Sequence, residues 1–211
     1  MIKYVKRALI PYPYKWFMVK YRTVFIHIPR TGGTSFQSIF MDNIFREHYS
    51  YQIYSYADSI KFNRFFKFAF VRNPYDRLIS TFSYLSQGGN QRGDLYFQDL
   101  IASKYLTLER FVLKFLDNEK INEIALLKPQ YLYIHDAKRN CMIDFIGRYE
   151  RIQEDSEYIL NKLKINKKLP HKNKSRKDTK LNEQLKNSEV KKKICELYNS
   201  DFELFNYSKG L

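Results

Sequence analysis

The chain has 211 residues, enough for one domain with a real core, and is 44% hydrophobic and 17% aromatic, which excludes a disordered chain. Its net charge of +15 favours anionic partners: nucleotides, nucleic acid, acidic glycans or an anionic membrane face. No apolar run approaches the ~20 residues of a membrane span, and no secretory leader is evident. The two cysteines, Cys141 and Cys195, stand in apolar contexts and read as reduced and buried.

Residues 1–22 form a Lys-rich, aromatic leading segment, expected to pack on the core rather than to touch a membrane through Tyr12, Tyr14, Trp16 and Phe17. Thr23–Ile28 reads as a short buried strand. Thr34–Phe45 reads as a helix, with Phe36, Ile39, Phe40 and Ile44 at spacings of three and four. Phe65–Val71 is a second buried strand. Asn73 is an N-cap with Pro74 at the first helical position, and that helix runs to about Leu85. Ser86–Asp94 is a loop and Leu106–Leu116 a helix. Tyr131–His135 and Met142–Ile146 read as short strands, Gln153–Leu163 and Glu189–Tyr198 as helices, and Asp201–Tyr207 as a segment packed back on the domain. Strand and helix alternate, so the expected class is α/β with a mainly parallel sheet flanked by helices, its domain spanning 23–211.

Between the first strand and its helix stands "HIPRTGGTS", two adjacent glycines in a chain that has seven. A strand, a glycine turn and a helix start make an anion site: backbone N–H groups point outward, and no Cβ blocks the approach at Gly32 and Gly33. Thr34 and Ser35 add hydroxyls, and Arg30 adds a guanidinium fork. The G-x-x-x-x-G-K-[ST] pattern of ATP- and GTP-binding loops is missing, and no metal-binding carboxylate accompanies the loop. The second motif, "FAFVRNPYDRLIS", puts Arg72 just past a strand end, where open α/β sheets bind ligands, with Ser80 two turns into the next helix. Arg77 reads as a solvated or salt-bridged helix residue.

Together the two motifs resemble the sulfotransferases that use 3′-phosphoadenosine 5′-phosphosulfate (PAPS), above all their carbohydrate-type branch. "YLSQGGN", "LKPQYLYI", "DFIGRYERIQED" and "LYNSDFELFNY" extend the resemblance over about residues 23–207. It implies a P-loop-like three-layer fold. It implies that Arg30, Thr31, Gly32, Gly33, Thr34 and Ser35 hold the 5′-phosphosulfate, and that Arg72 and Ser80 hold the 3′-phosphate. It also implies that Arg30, standing where the family carries Lys, stabilises the departing phosphate. A His near position 48 recurs in similar members, which makes His48 the first choice of general base. Glu47 and Glu109 are alternatives, and His135 and His171 follow. His27 is expected to be a core histidine that orders the loop.

Arg148 either touches the cofactor or pairs with Glu150. The segment 162–180 holds nine Lys or Arg against one Asp and includes "LPHKNKSRK". It reads either as a solvated loop or, by resemblance, as a loop over the nucleotide, with Lys172, Asn173, Ser175 and Arg176 as binding candidates. The implied acceptor is a carbohydrate, with a lean to an acidic glycan, and the expected location is cytoplasmic. The competing readings are a nucleotide-dependent phosphotransferase and a polyanion or nucleic-acid binder without catalysis. No nucleic-acid-binding signature is present.

Overall fold

A computed structural model describes residues 10–41, 47–170 and 179–210. In chain order its main elements are α1 (Trp16–Lys20), β1 (Thr23–Ile26), α2 (Gly33–Gln37), α3 (Tyr51–Ala57), α4 (Ser59–Arg64), β2 (Phe66–Val71), α5 (Pro74–Ser86), β3 (Phe145–Arg148), α6 (Ile152–Lys162) and α7 (Ser188–Leu197). The chain divides into two compact units. The first comprises the residues up to Val71 and those of 130–171; the second comprises 72–129 and the residues from 172 onward.

The first unit is built on a parallel sheet in the order β1-β2-β3. All four residues of β1 and the last four of β2 are buried, the run expected where both faces of a parallel strand are covered. The register sets Phe25 opposite Phe68 and Phe68 opposite Phe145. The Phe25 and Phe68 rings stack at 5.0 Å, and Phe36 of α2 packs on both. Helix α1 packs on β1 and α6 on β3, so the α/β class expected from the sequence holds. At Gly147 of β3 an added Cβ would lie 2.7 Å from the buried Phe70 ring, so the residue is fixed by close packing.

Tyr14 and Phe17 of the leading segment are core residues, whereas Tyr12 and Trp16 are exposed. The Tyr14 hydroxyl donates to the carbonyls of Tyr54 and Asp58, tying this segment to the junction of α3 and α4.

The second unit is helical, with one apolar cluster joining Leu78, Phe82 and Leu85 of α5 to Phe111, Val112, Val190, Ile194 and Phe202. Helix α5 starts as its sequence dictates: Pro74 takes the first position and the Asn73 side chain accepts the Tyr75 N–H at 2.9 Å.

Several expectations need correction. The helix expected over Thr34–Phe45 is the short α2, Gly33–Gln37, followed by turn residues at 38–40, and 42–46 lie outside the described residues. The strand expected over Met142–Ile146 is β3, Phe145–Arg148, displaced toward the C-terminus. Tyr131–Ile134 is a helical turn, not a strand; a four-residue apolar run carries too little periodicity to separate the two. Its end meets Cys141 in a single antiparallel bridge at His135. Cys141 is exposed, and only Cys195 is buried. The helix expected over Leu106–Leu116 is a short α-turn, Leu108–Arg110, followed by a π-helical stretch, Phe111–Phe115. For Arg77, expected as a solvated or salt-bridged helix residue, burial excludes the solvated alternative. The residue is 2% exposed, and its Nη2 donates to the carbonyls of Lys128 (2.8 Å) and Leu126 (3.3 Å). Among the described residues no helix is long and apolar enough to cross a membrane.

Candidate active site

The glycine loop between β1 and α2 lies wholly in the first unit. Arg30 adopts φ 65° and Gly32 φ 85°, so two left-handed residues turn the chain from β1 into α2. Glycine meets that demand without strain; arginine does not, and a non-glycine residue held there costs ~1–2 kcal/mol. The Thr31 side chain, 1% exposed, donates to the Ile28 carbonyl at 2.9 Å and braces the turn from inside. Its hydroxyl proton is therefore spent on the turn.

The first helical backbone bonds of α2 are those from Ser35 and Phe36 to Gly32. Thr34 is exposed and Ser35 half-exposed, and the first turn of α2 carries no acidic residue. Cβ atoms at either glycine would collide with neighbours: at Gly32 with Ile152 (2.4 Å) and Tyr149 (3.0 Å), at Gly33 with the His27 ring (2.1 Å). The pair of glycines thus has a packing reason as well as the anion-approach reason read from the sequence.

His48 belongs to the same unit and is half-buried. Its Nδ1 lies 3.0 Å from the His27 backbone carbonyl, which can only accept, so Nδ1 carries a proton, and in the neutral ring the lone pair is on Nε2. The His48 ring meets the His27 ring edge-on at 4.6 Å. Around it, Lys15 pairs with Glu47, the Tyr12 hydroxyl donates to Glu47 at 3.3 Å, and the hydroxyls of Tyr12 and Tyr49 bond to each other.

His27 is 4% exposed, as a core histidine should be. Burial first, and the charge of His48 second, hold its pKa well below the ordinary imidazole value. Gln37, also buried, offers Nε2 to His27 Nδ1 at 3.5 Å. That contact was not legible in advance; the available signal was a polar residue set between the core residues Phe36 and Ile39.

The other candidates separate. Glu47 is engaged with Lys15 and Tyr12. Glu109 accepts from Asn187 at 2.9 Å in the second unit. His135 is 6% exposed, with its pKa lowered chiefly by burial. Arg148 ends β3, its N–H donating to Asp155 at 2.6 Å, and Glu150 is exposed. Arg72 and Ser80 belong to the second unit, both half-buried, one just before α5 and the other within it. His171, Lys172, Asn173, Ser175 and Arg176 lie outside the described residues.

The profile of the sulfotransferase family matches residues 16–208, taking in both motifs. The chain belongs to the sulfotransferase family. Among curated relatives it is similar to carbohydrate sulfotransferase 11 of rat and of mouse, each 28% identical over 167 residues. That alignment covers 68% of this chain and 47% of each relative, so the chain spans about half their length. No solved structure matches it.

Proposed function

We propose that this member of the family transfers a sulfuryl group from PAPS to a hydroxyl of a carbohydrate acceptor. The observation that carries the reading is the family match running through both motifs, together with a loop whose side chains suit a polyanion. A guanidinium, two hydroxyls and the loop's backbone N–H groups, with no carboxylate in the first turn of α2, fit a phosphosulfate and repel no part of it. When bound, the donor supplies an electrophilic sulfur and a phosphate leaving group.

This chain's residues then have the following work. Arg30, Thr34, Ser35 and the backbone of Thr31–Gly33 hold the 5′-phosphosulfate, and Arg30 meets the negative charge that grows on the leaving phosphate. Arg72 and Ser80 hold the 3′-phosphate, and Arg148, Lys172 and Arg176 add positive potential. His48 Nε2 accepts the proton of the acceptor hydroxyl, since Nδ1 is committed to the His27 carbonyl. Sulfuryl transfer asks for positioning and charge stabilisation rather than a covalent enzyme intermediate, by analogy with phosphoryl transfer. The domain from residue 23, the lean toward an acidic glycan and the cytoplasmic location belong to this proposal.

The test is calorimetric binding of adenosine 3′,5′-bisphosphate beside adenosine 5′-monophosphate and ATP, at near-physiological salt and without magnesium. Preference for the 3′-phosphorylated nucleotide, lost in Arg72→Ala, is the expected result. Equal weak binding of all three, fading together as salt rises, would replace the proposal with a polyanion binder.

A further inference from the structure

We propose that His27 is a positioning residue that braces two parts of the site at once: the loop backbone at Gly33 and the ring of His48. The inference rests on the sulfotransferase reading for the chemistry it serves, but its geometry stands apart from any ligand.

On one side, the His27 ring fills the space where a side chain at residue 33 would go. A Cβ there would lie 2.1 Å from Cδ2 and 2.4 Å from Nε2. Gly33 opens α2 and is not among the positive-φ glycines, so its backbone suits any residue. What forbids a side chain is the imidazole beneath it. His27 and Gly33 are therefore a matched pair, one ring against one missing Cβ.

On the other side, His27 holds His48 twice. Its carbonyl accepts from Nδ1 at 3.0 Å, and its ring packs against the His48 ring at 4.6 Å and 61°. Removing the ring leaves the carbonyl in place but frees the imidazole of His48 to turn. His27 itself is pinned: Phe25 stacks on it at 5.6 Å, and Gln37 approaches its Nδ1. An amide nitrogen can only donate, so His27 Nδ1 accepts and its proton sits on Nε2. Buried and neutral, His27 leaves the proton-accepting role to the more exposed His48.

The experiment compares His27→Ala, His27→Phe, Gly33→Ala and the double variant His27→Ala/Gly33→Ala with the unaltered chain. Three quantities are read: affinity for adenosine 3′,5′-bisphosphate, the melting temperature, and the ¹⁵N shifts of the His48 imidazole, assigned through His48→Gln. Gly33→Ala is expected to weaken nucleotide binding about tenfold, and the double variant to recover most of that loss, as touching residues do in a mutant cycle. His27→Ala is expected to turn the single Nδ1-protonated pattern of His48 into a mixture of tautomers. His27→Phe keeps a ring of similar bulk, so it is expected to preserve that pattern even though losing the Gln37 contact lowers the melting temperature.

Unimpaired binding by Gly33→Ala, a double variant no better than Gly33→Ala, or an unchanged His48 spectrum in His27→Ala would each overturn the proposal. Should Gly33→Ala not fold alone, a folded double variant is the same rescue, and a double variant that also fails to fold refutes the pairing. A wild-type chain with no preference for the 3′-phosphorylated nucleotide would sink the sulfotransferase reading instead. The His48 spectrum and the folding rescue would still judge His27.

Discussion

Replacing Arg77 by Ala tests the least expected contact in the second unit. Arg77 rises from α5 with 2% of its surface exposed, and its Nη2 reaches the carbonyls of Lys128 at 2.8 Å and Leu126 at 3.3 Å. A hydrogen bond from a charged donor is worth ~1.5–3 kcal/mol, and an acceptor left buried without its donor costs ~1–3 kcal/mol. The shorter bond counts near full value and the longer one adds a fraction. The guanidinium's own burial penalty disappears with it, which offsets part of the loss. The balance is a destabilisation of ~3 kcal/mol, or ~6–12 °C in melting temperature for a chain of this size. Arg77→Lys keeps the charge but only one point of contact, and should recover about half of that. The assay is thermal unfolding followed by circular dichroism, with Tyr198→Phe as companion, because the Tyr198 hydroxyl donates to the intervening Leu127 carbonyl at 2.8 Å. The two changes loosen the same three residues, so their combined cost should depart from the sum. If Arg77→Ala melted within about 2 °C of the parent chain, a buried charge-assisted bond of this kind could not be holding the 126–128 segment, at the magnitudes assumed.

Gly147→Ala would drive a Cβ to 2.7 Å from Phe70 and should cost ~1–3 kcal/mol by overpacking; Phe70→Leu in the same chain should return part of it on the melting curve. Arg30→Ala should lower turnover in a sulfuryl-transfer assay far more than Arg30→Lys, and unchanged turnover in the Ala variant would remove Arg30 from the leaving-group role. Ser80→Ala should weaken binding of adenosine 3′,5′-bisphosphate while leaving that of adenosine 5′-monophosphate unchanged in the same calorimeter. The pH dependence follows from His27 and His135, both with pKa values lowered chiefly by burial. The unfolded chain takes up protons near the ordinary imidazole value, ~6.5, while the folded chain does not, so stability falls as pH drops through that range. The slope is at most ~1.4 kcal/mol per pH unit for each histidine, and flat above about pH 7.5. Urea unfolding at three pH values reads it, and His27→Phe should remove its share of the slope. Equal stability at pH 7.5 and pH 5.5 in the parent chain would contradict neutral burial of both rings.

The parts of the fold that could be read in advance are those where local chemistry and packing agree. β1 and β2 are apolar on both faces, and α5 announces itself through Asn73 and Pro74. The loop between β1 and α2 was legible because Gly32 and Gly33 stand between a buried apolar run and a helical pattern. Legibility failed where the deciding partner is distant. Arg77 reads as solvated or salt-bridged until the carbonyls some fifty residues away are seen. Tyr131–Ile134 alternates nothing and is too short to reveal a period. The short helices α3 and α4 depend on Tyr54 and Phe62 reaching the core, not on propensity. In the candidate site, Arg30, Gly32 and Gly33 were marked by motif, but the reason for Gly33, a histidine six residues earlier, appears only when the ring is seen beneath it.

The hydroxyl of Tyr14 carries a practical consequence for anyone shortening this protein. The sulfotransferase motifs begin after residue 22, and a truncation placed at that border looks natural on paper. It would strip the donor from two carbonyls at the hinge of α3 and α4, withdraw Tyr14 from its edge contacts with Tyr54 and Phe65, and remove the lysine that pairs with Glu47 beside His48. The signature motifs would survive such a cut intact, while the segment carrying His48 would lose its outer support.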